Sequence, residues 1–168
     1  TLVPGAKGEE EIAEYVSQWL KALGIKAKVD KIEEKRANAV GTLKGVGGGR
    51  SLMLNGHIDT VGYDYMTIDP LKPVVKEGRM YGRGTFDMKG GFVSSLAALK
   101  AIVDSGIQLK GDVVVAGVCD EEFASIGTER VMEKTRVDAA IVGEPSSLQV
   151  ERCHKGFAWI EIETKGLA

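Results

Sequence analysis

The spacing of apolar residues near the start of the chain predicts a helix followed by two strands. From Glu9 onwards, apolar side chains recur at three- and four-residue intervals as far as Leu23, acidic residues occupy the first turn, and Gly24 follows the last apolar position. These features are typical of an amphipathic helix and its two ends. Residues 25–30 then alternate apolar with polar positions, which predicts a strand with one solvated face, and residues 37–43 are predicted to form a second strand.

A glycine-rich segment, KGVGGGR at residues 44–50, follows the second predicted strand. It has neither the GxGxxG spacing nor the GxxxxGK spacing of phosphate-binding loops. The sequence therefore favours an ordinary hairpin loop over a phosphate site.

Three later apolar runs are short and uninterrupted, a pattern typical of strands buried on both faces. They are residues 51–55, 113–119 and 139–142. Apolar residues at helical spacing mark two segments between these runs, residues 90–105 and 126–135. Because strands and helices alternate, the sequence predicts an α/β domain with a mixed, partly parallel sheet. A last strand is predicted over residues 157–164, where apolar and polar positions alternate.

The composition is that of one globular domain. Of 168 residues, 43% are hydrophobic and 27% are charged, which excludes disordered, collagen-like and coiled-coil classes. Twenty-two basic residues against 24 acidic ones give a net charge of -2, so neither nucleic acid nor a membrane surface is expected as a partner. No apolar run reaches the roughly 18 residues of a membrane span and no leader pattern opens the chain, so a soluble, cytoplasmic protein is expected. Cys119 and Cys153 are expected to be free thiols, Cys119 as a small buried residue.

Acidic residues follow all three apolar runs, at the point where each predicted strand ends, and a histidine also follows the first run. They are His57 and Asp59 after the first run, Asp120-Glu121-Glu122 after the second, and Glu144 after the third. Asp87 lies in a glycine-rich run just before a predicted helix. Since the carboxyl ends of parallel strands line one crevice, we expect these side chains to converge.

Such a convergence requires a cation, because carboxylates a few ångströms apart repel one another and raise one another's pKa. Mixed histidine and carboxylate ligands suit zinc, with cobalt or manganese as substitutes, and disfavour calcium. With at least three carboxylates available, two ions that share one bridging carboxylate are the economical arrangement.

Four motifs, in order along the chain, resemble the successive signatures of the di-zinc family of aminoacylases, acetylornithine deacetylases, succinyl-diaminopimelate desuccinylases and glutamate carboxypeptidases. The motifs are Gly56-His57-Ile58-Asp59-Thr60, the run from Gly82 to Gly90, Asp120-Glu121-Glu122 with Gly127-Thr128, and Gly143-Glu144-Pro145. The resemblance covers nearly the whole chain. It implies a three-layer α/β/α catalytic domain and the hydrolysis of amide bonds in N-acyl amino acids or small peptides.

The resemblance also implies a ligand set for two zinc ions. His57 and Glu144 would bind one ion, Glu122 would bind the other, and Asp87 would bridge them.

Two further residues receive roles by the same resemblance. Glu121 would be the general base, taking a proton from a metal-bridging water and passing it to the leaving amine. Asp59 would accept the second N–H of the His57 ring and so fix its tautomer. The resemblance further implies a cis peptide bond between Asp87 and Met88.

Members of the family are about twice as long as this chain. Residues 1–168 are therefore expected to be the N-terminal part of the catalytic domain, without the lid and dimerisation domain and without the C-terminal return segment that supplies a second metal-binding histidine. The full-length protein is expected to be a homodimer, and this fragment alone is expected to be inactive. It would hold one ion through His57, Asp87 and Glu144 and the second through only Asp87 and Glu122, so that occupancy would be unequal.

Two other functional classes stay open. One is a catalytically inactive metal-binding or interaction domain of the same fold, and the other is a di-metal phosphoesterase, which would use further histidine or asparagine ligands. Arg83 and Lys89 are interpreted as solvated charges and His154 as a structural residue, all three outside the site.

Overall fold

The first helix and the two strands after it form the start of the domain, as the spacing of apolar residues predicts. The structure is a computed structural model that describes residues 8–153, 156, 158 and 160–166. Helix α1 spans Glu10–Ala22 and buries a stripe of residues that includes Ala13, Val16 and Leu20. Gly24, with a φ of 75°, ends the helix, and its N–H donates to the carbonyl oxygen of Lys21 at 2.9 Å. Glycine is the residue that adopts this left-handed conformation without steric cost.

Seven strands and three helices are present in the described residues. After α1 they are, in chain order, β1 (Lys26–Glu33), β2 (Arg36–Leu43), β3 (Leu52–His57), β4 (Val74–Lys76), β5 (Arg79–Tyr81), α2 (Lys89–Asp104), β6 (Val113–Val118), α3 (Ile126–Lys134) and β7 (Ala139–Val142). None of the described helices has the length and apolar character that crossing a bilayer requires.

Five of the strands form a mixed sheet in the order β1-β2-β6-β3-β7. β1 and β2 are antiparallel to each other, as are β2 and β6, whereas β6, β3 and β7 are parallel. Helices α1 and α2 pack on one face around a core that contains Leu20, Leu54 and Phe92. Helix α3 covers the other face through Val131. The domain is therefore a three-layer α/β/α fold with a partly parallel sheet, which confirms the predicted fold class.

The glycine-rich segment at residues 44–50 is a loop, but the prediction of a hairpin is wrong. β2 and β3 are not neighbours, because β6 lies between them. The loop instead contacts the segment before β6, where the N–H of Val46 donates to Leu109 O at 2.8 Å and the N–H of Gly47 donates to Lys110 O at 2.9 Å. A Cβ atom at Gly45 would overlap the backbone of Gly111. The glycines thus allow two backbones to approach closely.

Two other expectations from the apolar pattern are also wrong. The strand at residues 139–142 is not buried on both faces: all four residues of β7 are exposed, and β7 is an edge strand of the sheet formed by the described residues. The strand predicted over residues 157–164 is not formed at Ala158 or at residues 160–164, where Ile160 and Ile162 are 81% and 83% exposed. A strand needs a neighbour to bond to, and alternation does not supply one. Phe157, Trp159 and His154 lie outside the described residues.

The small hairpin of β4 and β5 has no counterpart in the predicted elements. Its turn places Glu77 and Gly78 at φ values of 52° and 74°, the conformation of a tight hairpin turn. Strands of three residues are too short to show a period of two.

Candidate metal centre

The three parallel strands end side by side and bring their terminal residues to one edge of the sheet. His57, the last residue of β3, pairs with Val118, the last residue of β6. The N–H of Ile58 donates to Val118 O at 2.8 Å, and the N–H of Gly143 donates to Asn55 O at 3.3 Å. The residues that follow each strand therefore lie close together, which is the convergence expected from the sequence.

The His57 ring is buried and points one nitrogen at three carboxylates. Its Nε2 atom lies 3.1 Å from Asp87 Oδ1, 3.8 Å from Glu121 Oε2 and 3.8 Å from Glu144 Oε1. The His57 side chain is 1% exposed, whereas those of Asp87, Glu121 and Glu144 are 53%, 41% and 40% exposed. Ligand atoms of His57, Asp87 and Glu144 all lie within 4.8 Å of one another. A buried nitrogen thus faces an acidic cluster that solvent can reach.

Asp59 contacts both the histidine and the turn that follows β6. His57 Nδ1 lies 3.1 Å from the main-chain oxygen of Asp59 and 3.4 Å from its Oδ1. The Asp59 carboxylate accepts the N–H groups of Glu121 and Glu122, each at 3.2 Å. Burial alone would raise the pKa of Asp59, but the hydrogen bonds from His57 and from the Glu122 N–H outweigh it and lower the pKa. Asp59 therefore links the orientation of the ring to the position of the two glutamates.

The segment around Asp87 approaches two neighbouring backbones. The peptide bond between Asp87 and Met88 is cis, as the resemblance implies. Met88 is fully buried, and its Sδ accepts the N–H of His57 at 3.1 Å. A Cβ atom at Gly91 would overlap the carbonyl oxygen of Gly143, the residue before Glu144. Glycine in the first turn of α2 is what allows this turn and the end of β7 to touch.

Glu122 lies beside this cluster. Its Oε1 accepts the N–H of Val61 at 3.3 Å. Burial raises the pKa of Glu122, and the negative charge of Asp87 raises it further. The group whose ligand atoms lie within 4.8 Å of one another does not include Glu122.

The electrostatics of the cluster fit a divalent cation. Burial alone would lower the pKa of His57, but hydrogen bonds and charge from Asp59, Asp87 and Glu144 raise it to about 9. Burial raises the pKa of Glu144, and the charges of Glu121 and Asp87 add to that rise. Acids that repel one another around a single imidazole are stabilised by a positive ion, and mixed nitrogen and oxygen donors suit zinc, cobalt or manganese better than calcium.

Sequence reasoning missed two buried polar residues beneath the site. Arg36 forms a buried ion pair with Asp120, and the buried Asn38 contacts the backbone on either side of the turn after β6. Both lie on β2, where they alternate with Ala37 and Ala39, a pattern that usually indicates a solvated face. The one available signal was a strand with small apolar residues on one face and an arginine and an asparagine on the other.

Two residues interpreted as solvated are in fact half-buried. Arg83 Nη2 donates to Gly62 O at 2.8 Å, which joins the segment before Asp87 to the loop after Asp59. Burial lowers the pKa of Lys89.

Both cysteines are free as expected, and burial raises the pKa of Cys119 to about 12.

The mixed sheet holds a histidine and several carboxylates at the ends of its parallel strands. The chain is therefore an α/β domain with a candidate metal centre. The chain belongs to peptidase family M20/M25/M40, whose family model matches residues 53–164.

Named relatives agree with this assignment. The chain is 39% identical over 157 residues to an acetylornithine deacetylase of Proteus mirabilis, an alignment that covers 89% of this chain and 39% of that protein. It is 37% identical over 165 residues to an acetylornithine deacetylase of Vibrio campbellii, which covers 95% of this chain and 42% of that protein. The chain thus spans about two fifths of the length of these curated relatives.

Solved structures show the same fold. The M20 family metallo-carboxypeptidase Sso-CP2 from Sulfolobus solfataricus superposes with a TM-score of 0.69 at 24% identity, over 79% of this chain and 32% of that one. Human carnosine dipeptidase 1 superposes with a TM-score of 0.68 at 19% identity, over the same shares of the two chains.

Proposed function

We propose that this chain is the N-terminal part of the catalytic domain of a metal-dependent amide hydrolase that removes the acyl group from N-acyl amino acids or cleaves small peptides. The main support is the position of the buried His57 Nε2 atom, which faces carboxylate oxygens of Asp87, Glu121 and Glu144 at 3.1–3.8 Å. The names of the curated relatives, acetylornithine deacetylases, favour the deacylase side of this class.

The residues present would hold two cations unequally. His57, Asp87 and Glu144 would hold one ion, and Asp87 with Glu122 would hold a second more weakly. Zinc fits this donor set, and cobalt or manganese are substitutes. When bound, the ions supply Lewis acidity, which polarises an amide carbonyl and activates water.

Glu121 would move the proton of the reaction. Its carboxylate is partly exposed and lies 3.8 Å from His57 Nε2, while its main-chain N–H is held by Asp59. From this position it would take a proton from the attacking water and deliver it to the nitrogen of the leaving amine as the C–N bond breaks. Asp59 would keep the imidazole oriented during this step through its contacts with Nδ1.

The rest of the protein would complete the site. We infer that a lid and dimerisation domain and a return segment follow the part of the catalytic domain described here, that the full-length protein is a homodimer, and that this chain alone is inactive. Purified alone, the chain should bind one zinc ion tightly and the second weakly. Two tightly held zinc ions per isolated monomer would contradict this ligand assignment.

The activity is tested in the full-length protein loaded with zinc or cobalt, against N-acetyl and N-succinyl amino acids and phosphate esters. Glu121→Gln should reduce amide hydrolysis by about 10²–10⁴-fold with metal content unchanged. The matched control is Glu129→Gln, an exposed glutamate on α3, which should retain activity. Cleavage of phosphate esters alone would overturn the proposal. Metal binding without any hydrolysis would favour the catalytically inactive domain instead.

A further inference from the structure

The turn that presents Glu121 and Glu122 is held by two side chains of the neighbouring strand β2. Arg36 Nη1 pairs with Asp120 Oδ1, and both side chains are almost fully buried, at 9% and 2% exposure. Asn38, two residues further along the same face of β2, accepts the N–H of Cys119 at 3.0 Å and donates to Gly127 O at 2.8 Å. The two side chains of β2 therefore bind the turn at its start and at its far end.

The backbone of this turn has an unusual conformation at the residue that Arg36 binds. Asp120 has a φ of 65°, in the left-handed region that few residues other than glycine adopt. Its carbonyl oxygen accepts the N–H groups of Ala124 and Ser125 at 3.2 and 2.6 Å. The Asp120 side chain is 2% exposed, and a buried carboxylate needs a charged partner. Arg36 supplies that partner.

The same turn is held from the opposite side by Asp59, whose carboxylate accepts the N–H groups of Glu121 and Glu122 at 3.2 Å. Because β6 lies between β2 and β3, the main chain of both glutamates is held from the β2 side and, through Asp59, from the β3 side. We propose that Arg36, together with Asn38, is a positioning residue whose pairing with Asp120 sets the direction in which Glu121 and Glu122 leave the main chain. The roles of these glutamates rest on the proposed function, whereas the mechanical role of Arg36 does not.

A second ion pair between the same two strand regions supplies an internal comparison. Lys44, just after β2, lies 2.6 Å from Asp112, just before β6. Because β2 and β6 are antiparallel, this pair lies at the end of the strands opposite to Arg36 and Asp120. The side chains of Lys44 and Asp112 are 77% and 32% exposed. Of these two pairs, Arg36–Asp120 is the buried one, and it is also the one that contacts the turn carrying Glu121 and Glu122.

The inference is tested by removing each ion pair as a unit. The double variant Arg36→Met/Asp120→Asn avoids leaving a lone buried charge, which is strongly destabilising, and asparagine tolerates a positive φ as aspartate does. The matched control is Lys44→Met/Asp112→Asn. Amide hydrogen exchange is measured on the metal-free chain, so that no metal assignment enters the result. We expect exchange at residues 119–125 to accelerate about tenfold or more relative to the β6 amides in the first variant and not in the control.

Two exchange results would overturn the inference. Equal acceleration in the turn and in β6 would show that the pair contributes general stability only, and no acceleration would show that the turn does not depend on it. The single variant Arg36→Lys keeps the charge. Exchange in its turn should be slower than in the double variant, though faster than in the unsubstituted chain. This rescue gives a second measurement if the double variant folds poorly.

Cobalt titration connects the positioning role to the site. In the Arg36→Met/Asp120→Asn variant the weaker cobalt ion should lose about tenfold or more in affinity, while the tighter ion keeps its affinity within about twofold. Glu122→Gln is the reference for loss of the weaker ion. If Glu122→Gln leaves cobalt binding unchanged, the ligand assignment of the proposed function fails, and the exchange result for Arg36 stands independently. Unchanged affinity for both ions in the double variant would refute the positioning of Glu122.

Discussion

Metal binding to this chain should compete with a proton on His57, and the competition sets a measurable pH dependence. Carboxylates on both sides of the ring outweigh burial and raise the pKa of His57 to about 9 in the metal-free protein. A metal ion needs the Nε2 lone pair, so the proton must leave first. At pH 7, two units below that pKa, roughly one His57 ring in a hundred is neutral, a cost of about 3 kcal/mol.

The apparent affinity for cobalt should therefore rise about tenfold for each pH unit between pH 6 and 8. Calorimetric titrations in buffers of different ionisation enthalpy, with a competing chelator, measure the affinity and the protons released. About one proton per tightly bound ion is expected at pH 7. His57→Gln removes the titrating ligand, so its residual affinity should vary little over this range. An affinity that is flat between pH 6 and 8 in the unsubstituted chain, or binding without proton release, would refute this account of the site.

Three further outcomes are expected. Because the pKa of His57 is raised to about 9, protonation of this ring stabilises the metal-free fold fully below about pH 6.5, and the stabilisation is lost as the pH rises through about 9. The free energy of unfolding measured in urea should therefore be about 3 kcal/mol lower at pH 9.5 than at pH 6. His57→Gln should remove this difference. In Gly91→Ala the added methyl group overlaps Gly143 O. This substitution should lower the free energy of unfolding in urea by about 2–3 kcal/mol and reduce the affinity for the tighter metal ion. Unchanged stability would contradict the close approach of the two backbones. Cys153, which is exposed, should react with iodoacetamide at pH 8 far faster than the buried Cys119, whose pKa is raised to about 12, and equal rates by mass spectrometry would be the contrary result.

The position of the candidate site in the fold could be predicted from the sequence because it depends on local signals combined with one rule of topology. Apolar runs locate β3, β6 and β7, and the residues just after them include His57, Glu121 and Glu144. Once the runs are predicted to be parallel, the ends must meet. The convergence of His57, Glu121 and Glu144 follows from that arrangement, whereas the 3.1 Å approach of Asp87 to His57 Nε2 depends on the loop before α2.

Features that depend on strand order or on distant partners could not be predicted in this way. The run 139–142 is as apolar as the run 113–118, yet one forms the exposed edge and the other the centre of the sheet. The hairpin expected at residues 44–50 fails for the same reason, since nothing local places β6 between β2 and β3. Arg36 resembles any strand-surface arginine until its partner, Asp120, is known from the fold.

The exposed edge strand β7 joins the sheet through β3 alone among the described strands, by four residue pairs. It also presents Glu144, whereas His57 belongs to the central strand β3. An ion bound to both residues would act as a cross-link that closes a loop of more than half the chain. Chelation should then fray β7 from the sheet before the other strands separate, so that this strand would report the loss of metal before the fold does.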